Sequence, residues 1–547
     1  MSDTPDRSIL EGTSAPAQTH DAQPPAADTV TSEPMLPSRN YSWYVLGVLV
    51  LVYILNFVDR QILSILANDI KADFGLKDSD LGYLGGAAFG VFYALFGIPL
   101  GRLADNWNRG RLMTVGLALW SMMTVLSGFS QNKGHLSAAR FGVGIGEASS
   151  GPCAYSLIAD YFPKHQRATA IAIYSSGLYL GVGLSLALGG KIAPWWNGLY
   201  PNGGPLGLVG WQAAFVAVGL PGLLLALWVY TLREPVRGVY DGHTPTQHPH
   251  PFKDFFAEMM TVIPPFTLIG ALGRGVGALA VNLLFAGLMV VFVYVMLRIT
   301  GPGEWLQWYS IAIGFYAVFS WATALKDRSP ATFRLIWGTP AFIYTALGYS
   351  MISFTSYAIS FWTAPYVERI FHLPKDVIGL TIGAISAVGG FLGVILGGKL
   401  ADVVRVRNPS GRLLIVIAGV VLPVIPLLIA LNTTNYTLFC ILYFLMAMFT
   451  SMALGAAAAT TQDLVLPHMR GAATATFFIG TTLIGLGLGP YMVGIVSEMS
   501  GGNLKTGMLS LLVVAPVAVT LLWLAYRSVP EAEATMVARA ASAEAGR

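Results

Sequence analysis

Gly101-Arg102-Leu103-Ala104-Asp105-Asn106-Trp107-Asn108-Arg109-Gly110-Arg111 closes one apolar stretch, and Gly398-Lys399-Leu400-Ala401-Asp402 closes another. Each copy leads into a basic loop, the second carrying Arg405, Arg407 and Arg412. Another pair follows at a similar offset: Pro163-Lys164-His165-Gln166-Arg167-Ala168 and Pro467-His468-Met469-Arg470-Gly471. Chance gives one such match. Two pairs in register argue for two homologous six-helix halves.

The surrounding composition is that of a membrane protein. Of 547 residues, 54% are hydrophobic and 11% are charged, with a mean hydropathy of +0.62. A soluble domain carries about 25% charged residues. This excludes a soluble enzyme, a nucleic-acid-binding module and a disordered chain. The net charge of +4 is too small to imply a polyanionic partner. Cys153 and Cys440 lie far apart in apolar stretches and imply neither a disulfide framework nor a metal cluster. The reading needs no metal and no cofactor.

A bilayer core takes about 20 apolar residues per helix. Such stretches occur near 43–66, 81–100, 112–130, 137–161, 168–190, 211–232, 275–297, 305–325, 336–363, 377–398, 413–431, 437–462, 471–497 and 506–526, fourteen in all. Gly82, Gly86 and Gly90, and Gly389, Gly393 and Gly397, are spaced for close helix packing. The expected organisation is a disordered tail at 1–40, a six-helix half at 41–232 and a linker at 233–274. An extra hairpin at 275–325 matches neither half; a second half at 326–529 and a tail at 530–547 complete the chain. Phe252, Phe255, Phe256, Met259 and Met260 mark an interfacial stretch within the linker. His243, His248 and His250 in the same linker read as solvated, with no Cys or acidic partner repeating beside them.

Orientation follows from the Lys/Arg bias of the loops. One side carries sixteen: Arg102, Arg109, Arg111, Lys164, Arg167, Arg233, Arg237, Lys253, Lys326, Arg328, Arg334, Lys399, Arg405, Arg407, Arg412 and Arg470. The other carries eight: Lys71, Lys77, Lys133, Lys191, Arg298, Arg369, Lys375 and Lys505. The richer side is expected in the cytoplasm, with both termini, in a multi-pass protein of the inner (cell) membrane.

Gly101-x-Leu-Ala-Asp105-x-x-Asn-Arg109-x-Arg111 resembles the loop signature of the major facilitator superfamily. Asn56-Phe57-Val58-Asp59-Arg60 and Arg140-Phe141-Gly142-Val143-Gly144-Ile145-Gly146-Glu147-Ala148-Ser149 resemble its spinster-like branch. The resemblance implies an all-α polytopic fold of two six-helix halves, here with two extra helices between them. It implies transport by alternating access, and roles for Asp59 and Glu147 in proton coupling and for Arg60 and Arg140 in substrate recognition. It also implies that Asp105 faces the helix starting near Gly471 and closes the cytoplasmic side. The chain departs from the family in its extra hairpin and at Asn106, where Arg is common.

The residues themselves point the same way. A charge at mid-bilayer costs about 2.5–3.5 kcal/mol on insertion scales, and the spans hold few. Asp59 and Arg60 on the first span share a face with Asn56. Glu147 lies two turns along the fourth span from Arg140. These charges reach similar depth. They either lock two helices together, as Arg60–Glu147 or Asp59–Arg140 pairs, or mark a proton and substrate path in which Asp59 and Glu147 exchange protons. Arg60 then depresses their pKa or binds an anionic group. Tyr174, Ser175 and Tyr179 on the fifth span and Ser353, Tyr357, Ser360 and Trp362 on the ninth are the candidate cavity wall. Gly101, Asp105, Arg109, Arg111, Arg167, Gly398, Asp402 and Arg470 form the candidate gate, in which Asp105 is positioned to hold Arg109.

The expectation is a proton-coupled secondary transporter for a small amphipathic organic anion or lysolipid-like molecule, or for an organic or sugar acid. Its partners are the substrate, protons and the bilayer. It is expected to be monomeric, with the extra hairpin the place for any oligomer contact. A membrane enzyme would need a nucleophile or metal constellation within a span, and no histidine lies in one. A non-transporting sensor with the same fold would tend to lose the charges kept at Asp59, Arg60 and Glu147. An ATP-driven pump lacks its phosphate-binding loop here.

Overall fold

The structure, a computed structural model, describes residues 37–240 and 250–545. The stretch 1–36, the loop residues 241–249 with His243 and His248, and 546–547 lie outside the described residues. Among the described residues the chain is helical and has no strand. The first six helices are α1 (Arg39–Phe74), α2 (Asp78–Asn106), α3 (Arg109–Ser127), α4 (Lys133–Glu147 continuing as Ser150–Tyr161), α5 (Lys164–Leu199) and α6 (Gly210–Tyr230). Then come α7 (Pro251–Val262), α8 (Phe266–Arg274), the hairpin α9 (Val276–Thr300) and α10 (Trp305–Arg328), and a short α11 (Pro330–Ile336). The last six are α12 (Pro340–Phe371), α13 (Lys375–Arg407), α14 (Gly411–Ala430), α15 (Tyr436–Asp463), α16 (Pro467–Met499) and α17 (Leu504–Ala534), followed by α18 (Met536–Ala545).

Among the described residues, twelve helices are long and apolar enough to cross a membrane. α4, which carries Arg140 and Glu147, and α12, rich in Ser, Thr and Tyr, fall outside that set, and with them the bundle is consistent with the expected fourteen. The duplication is visible in three dimensions. Gly101–Asp105 ends the second helix of the first set, and Gly398–Asp402 lies near the end of the second helix of the last. Pro163 precedes α5, the fifth helix of its set, as Pro467 opens α16, the fifth of the other.

Local chemistry sets the helix ends. Ser38 caps α1 by accepting from the Tyr41 amide, and Gly75 ends it at φ 63°, a conformation glycine adopts without strain. Asn108 of the repeated motif caps α3, its Oδ1 accepting from Arg111 N at 2.7 Å. Inside the bundle, the predicted glycine ladders bring backbones together. A Cβ at Gly82 would stand 2.5 Å from Pro490 O, and one at Gly86 2.6 Å from Leu486 O, so α2 crosses α16 in near contact. Gly393 and Gly397 do the same for α13 against α15, at 2.2 Å from Met448 O and Met452 O.

α10 is wedged between the two sets. Gln307 Nε2 donates to Gly487 O of α16 at 2.9 Å, and Trp308 and Ile311 join the apolar core that holds Leu81 and Leu84 of α2. α9 packs on the core with one face, through Val293, and exposes Val276, Leu284 and Val290 on the other. α7 and α8 meet at 96° and expose Phe252, Phe256, Met260, Phe266, Ile269 and Leu272. Residues 530–545, expected as a tail, are helical and packed: Ala532 and Ala540 are buried, Arg405 Nη2 pairs with Glu533 at 2.9 Å, and Arg539 bonds Thr339. Alanines at helical spacing make that face, which composition alone disguises as linker.

The bundle is closed at one end. Gln61 Nε2 bonds Ser360 Oγ at 2.6 Å and Ser64 Oγ bonds Phe361 O at 2.6 Å. Farther out, Asn68 bonds Glu368 at 2.6 Å and Arg369 bonds both Asp78 oxygens at 2.8 and 2.9 Å. At the opposite end, which bears the repeated motif, the packing is looser: a Cβ at Gly97, Gly398 or Gly471 would meet nothing within 4 Å.

Candidate functional site

The four predicted charges meet in the middle of the first six helices. Glycines in α4 make this possible. A Cβ at Gly144 would lie 2.6 Å from Phe89 O of α2, and one at Gly146 2.7 Å from Gly116 O of α3. α4 therefore sinks between its neighbours and carries Glu147, fully buried, to the centre. There Arg60 Nη2 of α1 bonds Glu147 Oε2 at 2.8 Å. Asn56 lies beside the same carboxylate.

Of the two expected pairings, only Arg60–Glu147 forms. Arg140 donates instead to main-chain oxygens, Asp59 O at 3.2 Å and Arg60 O at 3.4 Å. The Asp59 carboxylate, 1% exposed, faces Trp120 and Thr124 of α3, and its Oδ1 has no hydrogen bond among the described residues. Adjacent residues on a helix point about 100° apart, so Asp59 turns into the first set while Arg60 turns toward the space between the sets.

Arg60 is held by aromatic faces. Its guanidinium carbon stands 4.8, 4.5 and 5.0 Å from the ring centres of Phe57, Phe89 and Tyr93. Each such contact contributes about 0.5–2 kcal/mol. Beyond it, Tyr174 stacks on Tyr53 at 4.4 Å and meets Tyr155 edge-on at 5.5 Å. Tyr357 of α12 reaches the same group from the other set. Tyr53, Tyr93 and Tyr155 are additions that sequence reasoning missed. Tyr53 shares a helix face with Phe57 and Arg60, and Tyr93 with Phe89, which was the available signal; Tyr155 stands on another helix and carried none.

Other predicted wall residues have packing tasks. The Trp362 indole is fully buried, and its Nε1 donates to Pro490 O at 2.8 Å. Ser353 packs on Gly485, and Ser360 is engaged by Gln61. Tyr179 packs against Gly390 of α13. These side chains seal the closed end, knit α12 to α16 or, for Tyr179, join α5 to α13, so in this conformation they do not surround Arg60.

The motif end also differs from expectation. Arg109 is not held by Asp105. It is fully buried, pairs with Asp160, and bonds Ser156 Oγ at 2.8 Å and Glu234 Oε1 at 2.7 Å. The chain turns extended at Trp107, which swings Arg109 under α4. Arg237 caps the end of α2, donating to the oxygens of Ala104, Asp105 and Trp107 at 2.8, 2.6 and 2.5 Å. The tasks of Asp160, Glu234 and Arg237 at the motif were not legible because the linker's return to it is a tertiary event. Asp105, Arg111 and Arg470 are exposed, while Arg167 bonds Ala159 O at 2.7 Å. In the second copy Arg412 pairs with Asp463 at 2.5 Å and lies 3.6 Å from Asp402. The nearest atom a Cβ at Gly101 would meet is Pro152 Cγ, 3.8 Å away, and one at Gly398 would meet nothing within 4 Å.

Comparison with known proteins agrees with this architecture. The Major Facilitator Superfamily profile matches residues 49–367 and 351–545. The chain is 26% identical over 475 residues to an MFS-type efflux pump of Mycolicibacterium smegmatis, covering 86% of this chain and 88% of that one. It is 24% identical over 482 residues to Protein spinster homolog 1 of Xenopus laevis, covering 85% and 75%. Among solved structures, it resembles a bacterial homolog to the human lysosomal transporter Spinster in an inward-facing and unoccupied conformation, with a TM-score of 0.68, 25% identity and coverage of 91% and 99%. The chain belongs to the major facilitator superfamily and is a spinster-like, multi-pass membrane transporter within it.

Proposed function

We propose that the protein carries a small amphipathic organic anion, of organic-acid or lysolipid-like chemistry, together with protons by alternating access. The observation that carries this reading is the Arg60–Glu147 ion pair at 2.8 Å, walled by Phe57, Phe89 and Tyr93. An arriving anionic head competes with Glu147 for the guanidinium. A carboxylate left unpaired in this apolar setting is costly, so Glu147 takes up a proton as the anion binds. Asp59, without a cation of its own, is the second acceptor along the path. The tyrosines at 53, 93, 155, 174 and 357 receive the apolar body.

The motif end, richer in Lys and Arg, faces the cytoplasm of the inner membrane, as do both termini. The described conformation is then inward-open. Closing that end brings Asp105 toward the start of α16, where a helix N-terminus favours an acid. The test is uptake into proteoliposomes under an imposed pH gradient, across a panel of organic anions and lysolipids. The reading expects gradient-driven accumulation of at least one amphipathic anion, with affinity lowered in Arg60→Ala. Accumulation and affinity both untouched by that variant would remove Arg60 from recognition.

A further inference from the structure

The inserted hairpin has no counterpart in the duplication, yet its turn reaches the closed end. Glu304, at the start of α10, is 5% exposed. Ser79 Oγ of α2 lies 2.9 Å from Glu304 Oε1 and 2.7 Å from Glu498 Oε2 of α16. A serine hydroxyl has one hydrogen. It satisfies one of these carboxylates; the other must bring a proton and donate it to Ser79 Oγ, or two sets of lone pairs oppose each other.

The surrounding charges say which carboxylate carries it. Glu498 has Lys77, Nζ to Oε1 2.6 Å, and this bond holds the Lys77 ammonium above its ordinary pKa. Lys133 of α4 pairs with Asp80. Lys71 and Arg369 both pair with Asp78, at 2.6 and 2.8 Å, which also accepts from Ser497. Glu304 faces Ser79, Asp80, Lys133 and Tyr491 and has no cation of its own among the described residues. Beneath it, the Tyr491 hydroxyl is buried, faces Glu304, and makes no hydrogen bond among the described residues. Because Ser79 has one hydrogen for two carboxylates, a protonated Glu304 that donates to Ser79 Oγ and leaves its second oxygen to the Tyr491 hydroxyl fits this setting.

We propose that Glu304, Ser79 and Glu498 bind one proton as this end closes, so that the inserted hairpin is a proton-held latch across α2 and α16. Opening separates the three groups. Glu304 then meets water and titrates as an ordinary carboxylate, near pH 4.3. The closed form holds one proton more than the open form, so acid favours closure. The closed-to-open ratio rises with acid, by at most tenfold for each pH unit lost above the open-state value.

The experiment uses the full chain in nanodiscs, with spin labels at Gln131→Cys and Thr434→Cys in a Cys153→Ser/Cys440→Ser background. Asp59→Asn and Glu147→Gln are included so that the central carboxylates contribute no titration and the latch is read apart from transport. Distance distributions are recorded from pH 8 to 5. The expected result is a closed fraction that grows with acid. In Glu304→Gln, whose amide always supplies a hydrogen, the end stays closed without a pH slope. Ser79→Ala, which removes the bridging oxygen and leaves both acids, lowers the closed fraction at pH 5 several-fold. A pH-independent parent, a Glu304→Gln slope equal to the parent's, or an unchanged Ser79→Ala would each overturn the latch.

Discussion

Arg140 reaches Asp59 across the interface of α4 and α1, but it bonds the Asp59 carbonyl at 3.2 Å rather than the carboxylate beside it. The arrangement separates two tasks. Arg140 fastens the helices together, while Asp59 stays without an ion partner and available to a proton. Hydrogen bonds from a charged donor contribute about 1.5–3 kcal/mol each. Arg140→Leu is expected to lower the detergent Tm clearly, and Arg140→Lys to recover part of it, since an ammonium reaches both carbonyls less well than a planar fork. Thermal unfolding followed by size-exclusion recovery measures this.

Arg109 and Asp105 stand in one motif but in different surroundings. Removing one member of a buried ion pair costs about 3–5 kcal/mol, so Arg109→Ala leaves Asp160 and Glu234 uncompensated and is expected to reduce folded yield severely. Asp105 is exposed, and Asp105→Asn is expected to keep the parent Tm while slowing exchange, because the contact proposed for it with the start of α16 is one of the closed state alone. Equal Tm losses in both variants would contradict the distinction.

The glycine ladders divide in the same manner. Gly82 lies at the α2–α16 crossing, which parts on opening, whereas Gly393 lies at the α13–α15 crossing within one set. Overpacking costs about 1–3 kcal/mol in a fixed core. Gly82→Val is expected to yield folded protein held open at the far end, visible as a lengthened label distance. Gly393→Val has no open state to escape into and is expected to lose folded protein outright.

Phe89 contacts both Arg60 and Arg140, at 4.5 and 5.3 Å. Phe89→Leu keeps the volume roughly and removes the ring face. At about 0.5–2 kcal/mol per contact, substrate affinity is expected to fall between about twofold and thirtyfold, read as a change in the half-saturating concentration with stability little affected.

Much of this was legible in the sequence. The repeat at Gly101 and Gly398 gave the halves, and the scarcity of charge made Asp59, Arg60, Arg140 and Glu147 stand out before any contact was known. The pairing was not legible: both Arg60–Glu147 and Asp59–Arg140 fitted the spacing, and a rotation of α1 decides between them. Trp362 and Ser353 looked like cavity wall because polarity on a membrane helix does not say which neighbour it serves. Glu234 and Arg237 lie in a linker whose fold back onto the motif depends on buried Arg109. Glu304 carried no sequence signal until the hairpin turn was seen beside Ser79.

The central claim is that an anion displaces Glu147 from Arg60 and so brings a proton with it. Purified protein in weakly buffered detergent solution, with a pH indicator, reads this directly as an amphipathic anion is titrated in. The account predicts net proton uptake on binding by the parent and none by Glu147→Gln, with binding itself retained. Uptake of the same size in Glu147→Gln, or binding by the parent with no proton taken up, would contradict it.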